Sequence, residues 1–215
     1  MSSHHIVRDE QEPALLIDDP KALTIEDVDQ LLEWSPTVIV TEKALSEVLK
    51  WGIKIDVVVA NVANLQSLKP RLAEQSPVQL LGFEDDNLLA CAYIFLLDHK
   101  YPAVNVMADI YQSTVLDTVR EFSKQIDSIV FATHQKWTYV SSGHFEKWVM
   151  VSHHFGIHPV AQNTFFTSEG FYGDYENEML LEPIELTAEI TGKIKLKTNE
   201  KPLWLVEAVT TDSYK

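Results

Sequence analysis

The chain has 215 residues, 46% of them hydrophobic, and a net charge of −15. That is apolar material for one large or two small packed units, and the negative charge disfavours nucleic acid and anionic membrane as partners. No run of about 18 apolar residues occurs, so no membrane-spanning helix is expected. In chain order, PALLID (13–18) predicts a strand, and TIEDVDQLLEW (24–34) a helix with Thr24 as N-cap and Asp27 three residues later. TVIVTE (37–42) is the second strand, followed by the helix KALSEVLKWG, where Gly52 suits a helix stop. IDVVVAN is the third strand, SLKPRLAE a helical segment, and VQLLGF (78–83) the fourth strand. EDDNLLACAYIFLLDHKY (84–101) predicts a long apolar helix with acidic residues in its first turn, where the helix dipole favours them. AVNVMAD (103–109) is the fifth strand, STVLDTVREFSKQ a helix, and DSIVFAT (127–133) the sixth strand.

After about residue 125 no helical period is found. WTYVSSGHFEKWVMVSHHFG, TFFTSEGFYGDYENEMLL, IELTAEITGKIKLKT and PLWLVEAVT alternate apolar and polar residues or carry β-branched runs. Gly143, Gly156, Gly170, Gly173 and Gly192, five of the seven glycines, fall here, as hairpins and tight turns require. The lysines of KIKLK (193–197) read as one solvated strand face. The expected architecture is α/β, a mostly parallel sheet covered by helices over 1–135, then an all-β sandwich over 136–215. The polar opening MSSHHIVRDEQEP lacks the apolar stretch of a signal peptide. A single cysteine, Cys91 within LLACAYIFLL, excludes an internal disulfide and reads as a buried, inert thiol in a reducing cytoplasm.

In an open α/β sheet, chemistry gathers where strands exit into loops. The exits are Asp18-Asp19-Pro20, Thr41-Glu42-Lys43, Asn61-Val62-Ala63-Asn64, Glu84-Asp85-Asp86-Asn87, Asp109-Ile110-Tyr111-Gln112 and Thr133-His134-Gln135. Asp18, Glu42, Asp86 and Asp109 could converge as a magnesium cage, or each could cap a helix or decorate a solvated loop. No glycine precedes Gly52 and none lies between Gly82 and Gly143, so neither G-x-G-x-x-G nor a P-loop is present. The exits offer Lys43, with Lys69 and Arg71 further along, as cations for a phosphate. His153, His154 and His158 have a spacing open to zinc but equally to ordinary surface histidines. Aromatic residues from Trp137 to Tyr175 read as sandwich core and dimer interface, or as a flat pocket for a heteroaromatic cation.

The element order, with three short matches, resembles the thiamine pyrophosphokinase family, which transfers diphosphate from ATP to thiamine. IDVVVAN-VAN stands for the family's strand ending in G-D-F-D-S, DDNLLACAY for its T-D-x-E-x-A helix start, and TSEGFYGDY for a T-x-G-L-x-Y stretch. The resemblance implies use of ATP and Mg2+, a homodimer, and thiamine or a similar heteroaromatic molecule held by the sandwich. It carries Asp86 and Asp109 over as catalytic candidates. It gives Glu42, Asn61, Asn64 and Gln112 as cofactor-binding candidates, and Asp86 with Asn61 as metal ligands. The departures are extensive. Thr41-Glu42-Lys43 replaces D-G-G, Ala60-Asn61-Val62-Ala63-Asn64 replaces G-D-F-D-S, and Leu88 falls on the Glu of T-D-x-E. Ala108-Asp109-Ile110-Tyr111-Gln112-Ser113 replaces G-G-R-x-D-H. Fewer carboxylates and glycines predict weak or absent activity. The alternatives are a non-catalytic small-molecule-binding or regulatory relative, and a different transferase whose metal cage is rebuilt from Asp18, Asp19, Glu84 and Asp85.

Overall fold

The computed structural model describes residues 12–209; the polar N-terminal stretch with His4 and His5 lies outside the described residues. The chain divides into two compact units, residues 1–133 and 134–215.

In the first unit the strands are β1 (Ala14–Ile17), β2 (Val38–Thr41), β3 (Val57–Asn61), β4 (Gln79–Phe83), β5 (Ala103–Met107) and β6 (Asp127–Ala132). They pair in the order β6-β5-β1-β2-β3-β4, every ladder parallel. Leu15, Leu16, Ile17, Val58, Val59 and Ala60 are each 0% exposed. That is the burial of strands covered on both faces, and it explains why their sequences run apolar without alternation. The helices are α1 (Ile25–Leu32), α2 (Glu42–Val48), α3 (Leu65–Leu68), α4 (Leu88–Asp98) and α5 (Ser113–Phe122). Helices α2 and α4 pack on β2 and β3.

Local chemistry sets the helix ends. Thr24 Oγ1 accepts from the Asp27 amide while the Asp27 carboxylate accepts from the Thr24 amide, a reciprocal capping box. The turn that continues α2 stops at Gly52, whose φ of 71° lies in the left-handed region glycine enters most easily. Two expectations need correction. Helix α4 begins at Leu88, so Glu84, Asp85 and Asp86 precede it rather than fill its first turn. Asn87 caps it instead, its Oδ1 accepting from the Ala90 amide at 3.1 Å. The helix expected over SLKPRLAE is one α turn followed by 3-10 geometry from Lys69 to Gln75, because Pro70 has no amide to donate.

The second unit has no helix among its described residues. Its strands are β7 (Gln135–Val140), β8 (His144–Val149), β9 (His154–Pro159), β10 (Thr164–Glu169), β11 (Glu178–Leu180), β12 (Ile184–Thr187), β13 (Gly192–Thr198) and β14 (Leu203–Ala208). The orders β12-β9-β14-β7 and β11-β10-β13-β8 form two antiparallel layers. Phe155, Ile157, Leu186, Leu203 and Leu205 of one layer meet Val149, Phe166, Leu180, Ile194 and Leu196 of the other in a shared core. This is a sandwich, as the alternating pattern predicts. In β13 the alternation is direct: Ile194 and Leu196 are buried, while Lys193 and Lys197 are exposed.

Candidate functional site

In the first unit the chain order reverses direction at β1, which has β2 on one side and β5 on the other. Parallel sheets bind ligands in the crevice outside the strand ends at such a switch point. Two cavities open there. One, of about 420 Å3, is lined by Asp85, Asp86 and Asn87 together with Asp18, Lys43 and Gln112. The other, of about 760 Å3, is lined by Asp109, Glu47 and Trp51 together with the same three residues.

Asp18 follows β1 and is 3% exposed. Its amide and that of Asp19 both donate to the Met107 carbonyl of β5, at 2.8 and 2.9 Å, which fixes the carboxylate at the switch point. Asp18 Oδ1 accepts from Thr41 Oγ1 at 2.9 Å. Oδ2 lies 2.6 Å from Lys43 Nζ, in an ion pair. Lys43 Nζ also reaches Gln112 Oε1 at 3.4 Å.

Glu42, at the start of α2, binds the neighbouring exit. Its Oε2 accepts from the Asn61 amide at 3.0 Å and its Oε1 from Asn64 Nδ2 at 2.7 Å. Asn61 Oδ1 accepts from the Ala63 amide at 3.0 Å and caps the short 3-10 turn that follows. Its Nδ2 points toward Asp86 Oδ1 at 3.4 Å. Asp109 closes its own loop, accepting from the Tyr111 amide at 3.0 Å and from Gln112 Nε2 at 3.3 Å.

The structure therefore groups the candidates in small local sets. Glu42, Asn61 and Asn64 join; Asn61 and Asp86 approach; Asp109 and Gln112 join. Asp86 lines one cavity and Asp109 the other. Of the two readings open for Asp18, Glu42, Asp86 and Asp109, the structure does not assemble the four-carboxylate cage; Asp109 instead closes its own loop. Among the described residues no three of His, Cys, Asp and Glu come together in a group that could hold a metal ion. The reason is local: Asp18 has an ammonium, while Glu42 and Asp109 have N–H donors, in the places where a cation would be coordinated. Of the alternative set, Asp19 accepts from the Lys21 amide and Asp85 from the Asn87 amide, each closing its own turn. The histidines at 153, 154 and 158 serve separate partners: Glu207, Thr187 and the ring of Trp137.

No protein-family model matches the sequence, and no curated protein does. Solved structures do match. Thiamin pyrophosphokinase from Geobacillus thermodenitrificans superposes with a TM-score of 0.75 at 11% identity, over 94% of this chain and 99% of that chain. The fold is that of the thiamin pyrophosphokinases. The Bacillus subtilis enzyme gives a TM-score of 0.73 at 11% identity, over 93% of this chain and 100% of that one. Yeast thiamin pyrophosphokinase gives 0.73 at 9% identity, over 97% and 89%. The resemblance to thiamine pyrophosphokinase read from element order thus holds at the level of fold, and function has to be argued from the site.

Three features of this thiamin pyrophosphokinase fold escaped the sequence reading. Thr41 is 0% exposed and orients Asp18; its signal was a hydroxyl at the end of an otherwise apolar strand. Trp204 joins Trp137 and Tyr139 in a ring cluster with centroids 6.4 and 5.0 Å away. Glu207, 5% exposed, holds Lys147 and His153; a charge at the parity of Leu203 and Leu205 in β14 marked it. No helix among the described residues is long and apolar enough to cross a membrane.

Proposed function

We propose that the chain is a thiamine pyrophosphokinase-like protein in which diphosphate transfer from ATP to thiamine is weak or lost. The fold comparison supports the first half of this reading. A single observation carries the second: the Lys43 ammonium is 2.6 Å from Asp18 Oδ2, in the crevice where a metal–nucleotide pair would need carboxylates. Magnesium and ATP would be the cofactors of a retained reaction. The residues present do not fit them. Asn61 turns its carbonyl onto its own turn and its amide toward Asp86, so it offers a donor where a metal needs an acceptor. Both oxygens of Glu42 are bound by N–H groups.

The second reading is a non-catalytic binding or regulatory relative, cytoplasmic and homodimeric. It is favoured by the retention of both cavities without a matching metal set. In it, the first unit is nucleotide-binding-like, and the second takes thiamine or a similar heteroaromatic molecule and dimerises. Trp148 and Tyr172, 63% and 57% exposed, support the stacking role, while Phe155, Phe166 and Phe171 belong to the core. Exposed Met150, Val151 and Leu181 support an interface.

Calorimetry with Mg2+ and a non-hydrolysable ATP analogue, then with thiamine, alongside a turnover assay, tests the proposal. Thiamine binding with neither nucleotide affinity nor turnover is the expected result. Tight Mg-nucleotide binding with steady diphosphate transfer would overturn it. Nucleotide binding indifferent to thiamine would point to another transferase.

A further inference from the structure

Within the second unit, Gly156 of β9 lies between Glu185 of β12 and Val206 of β14 in the ladder. His158, two residues further along β9, shares its face. That face is turned away from the shared core, because Phe155 and Ile157 point the other way. A glycine here leaves a gap in the sheet surface. A Cβ at residue 156 would lie 3.1 Å from Glu185 Oε1, 3.3 Å from Val206 Cβ and 3.4 Å from His158 Nε2. Two polar atoms therefore lean over the same spot, one a carboxylate oxygen and the other an imidazole nitrogen.

Neither Glu185 nor His158 has a hydrogen bond or an ion pair among the described residues. Burial lowers the His158 pKa, so the ring is neutral at neutral pH, and Nε2 accepts when the ring proton is on Nδ1. Trp137 holds the ring edge-on, with centroids 4.8 Å apart, and Trp204 stands opposite His158 in the β9–β14 ladder. Both acceptors lie within 3.4 Å of one point, so a single nitrogen above the glycine can donate to the two at once. A carboxylate with no counter-ion selects a cation, and two acceptors select one that carries N–H bonds. An anion would meet the Glu185 charge, and a quaternary ammonium would have no hydrogen to give.

We propose that the gap over Gly156 is a binding site for the primary ammonium group of a small amine, held between Glu185 and neutral His158. This site is separate from Trp148, Tyr172 and the crevice of the first unit, so the outcome of the thiamine and nucleotide titrations does not decide it.

Butylammonium titrated into the full chain, followed by NMR of the Gly156 amide and the His158 ring, tests it. A saturable shift of both signals at millimolar ligand and neutral pH is expected. Butyltrimethylammonium, of the same charge but without N–H bonds, is expected to shift neither. Glu185 is exposed, so Glu185→Gln is expected to keep the fold and to weaken butylammonium binding by about tenfold or more, as loss of a charge-assisted hydrogen bond requires. His158→Leu, followed at the Gly156 amide, is expected to weaken it as well; where that variant does not fold, Glu185→Gln decides. No saturable shift in the parent, equal shifts with butyltrimethylammonium, or an unchanged affinity in Glu185→Gln or in a folded His158→Leu overturns this inference.

Discussion

Lys147 of β8 and Glu207 of β14 form an ion pair inside the second unit, one residue from each layer of the sandwich. His153 Nε2 approaches the same carboxylate oxygen at 2.9 Å, and Lys136 lies opposite Glu207 in the β7–β14 ladder. Glu207 is 6% exposed at its side chain and Lys147 34%. Removing one partner of a buried pair strands the other charge. With His153 left in place and Lys147 partly solvated, Lys147→Met is expected to cost about 2 kcal/mol, less than a fully buried pair. Urea denaturation at neutral pH measures it.

The same cluster makes the unit acid-sensitive. Burial pushes the Glu207 carboxyl up, but the hydrogen bond and charge of Lys147, the hydrogen bond of His153 and the charge of Lys136 outweigh it and hold the carboxyl below its usual range. A carboxylate depressed in the fold stabilises above the unfolded value, about 4.3, and loses that contribution as the pH falls through the folded value. The stability difference between the parent protein and Glu207→Gln is therefore expected to be flat at neutral pH and to shrink below about pH 4.3. Denaturation at a series of acidic pH values checks this.

His158 works in the opposite sense. Burial lowers its pKa, and the charge of Glu185 offsets this only in part. The ring packs edge-on against Trp137, with centroids 4.8 Å apart. The fold prefers the neutral imidazole, so the contribution is complete above the ordinary value of about 6.5 and is lost as the pH falls below it. A proton NMR titration is expected to place His158 below that ordinary value. His158→Gln should remove the matching loss of stability between neutral and mildly acidic pH.

Glu42 fastens the third strand exit to the second helix through two hydrogen bonds, at 3.0 and 2.7 Å. Glu42→Ala is expected to cost about 1–2 kcal/mol and to speed amide hydrogen exchange at Asn61 while leaving β1 protected. Exchange followed by NMR distinguishes this from general loosening.

Much of the fold was legible because two periods are written into the chain. The unbroken Val57-Val58-Val59 run reports a strand covered on both faces, while the lysines of β13 alternating with Ile194 and Leu196 report a strand covered on one. The start of α4 was less legible, since an acidic run and an Asn cap both fit a helix beginning, and only the Asn87 hydrogen bond separates them. The site was least legible. Composition placed carboxylates at the right ends of the right strands, but whether each oxygen faces a cation or an N–H group depends on neighbours distant in sequence. Asp18 and Lys43 stand on different elements, and nothing in either local stretch shows that they meet.

The ladder between β1 and β5 joins residues 14–17 to residues 104–107. During synthesis the first strand can pair with β2 early, yet its other edge stays open until about ninety more residues have left the ribosome, a long loop to close. Any truncation ahead of Ala103 would leave that edge exposed at the centre of the sheet, inviting contact with another nascent chain. The crevice at Asp18 forms late for the same reason, because the carbonyl that anchors Asp18 belongs to Met107.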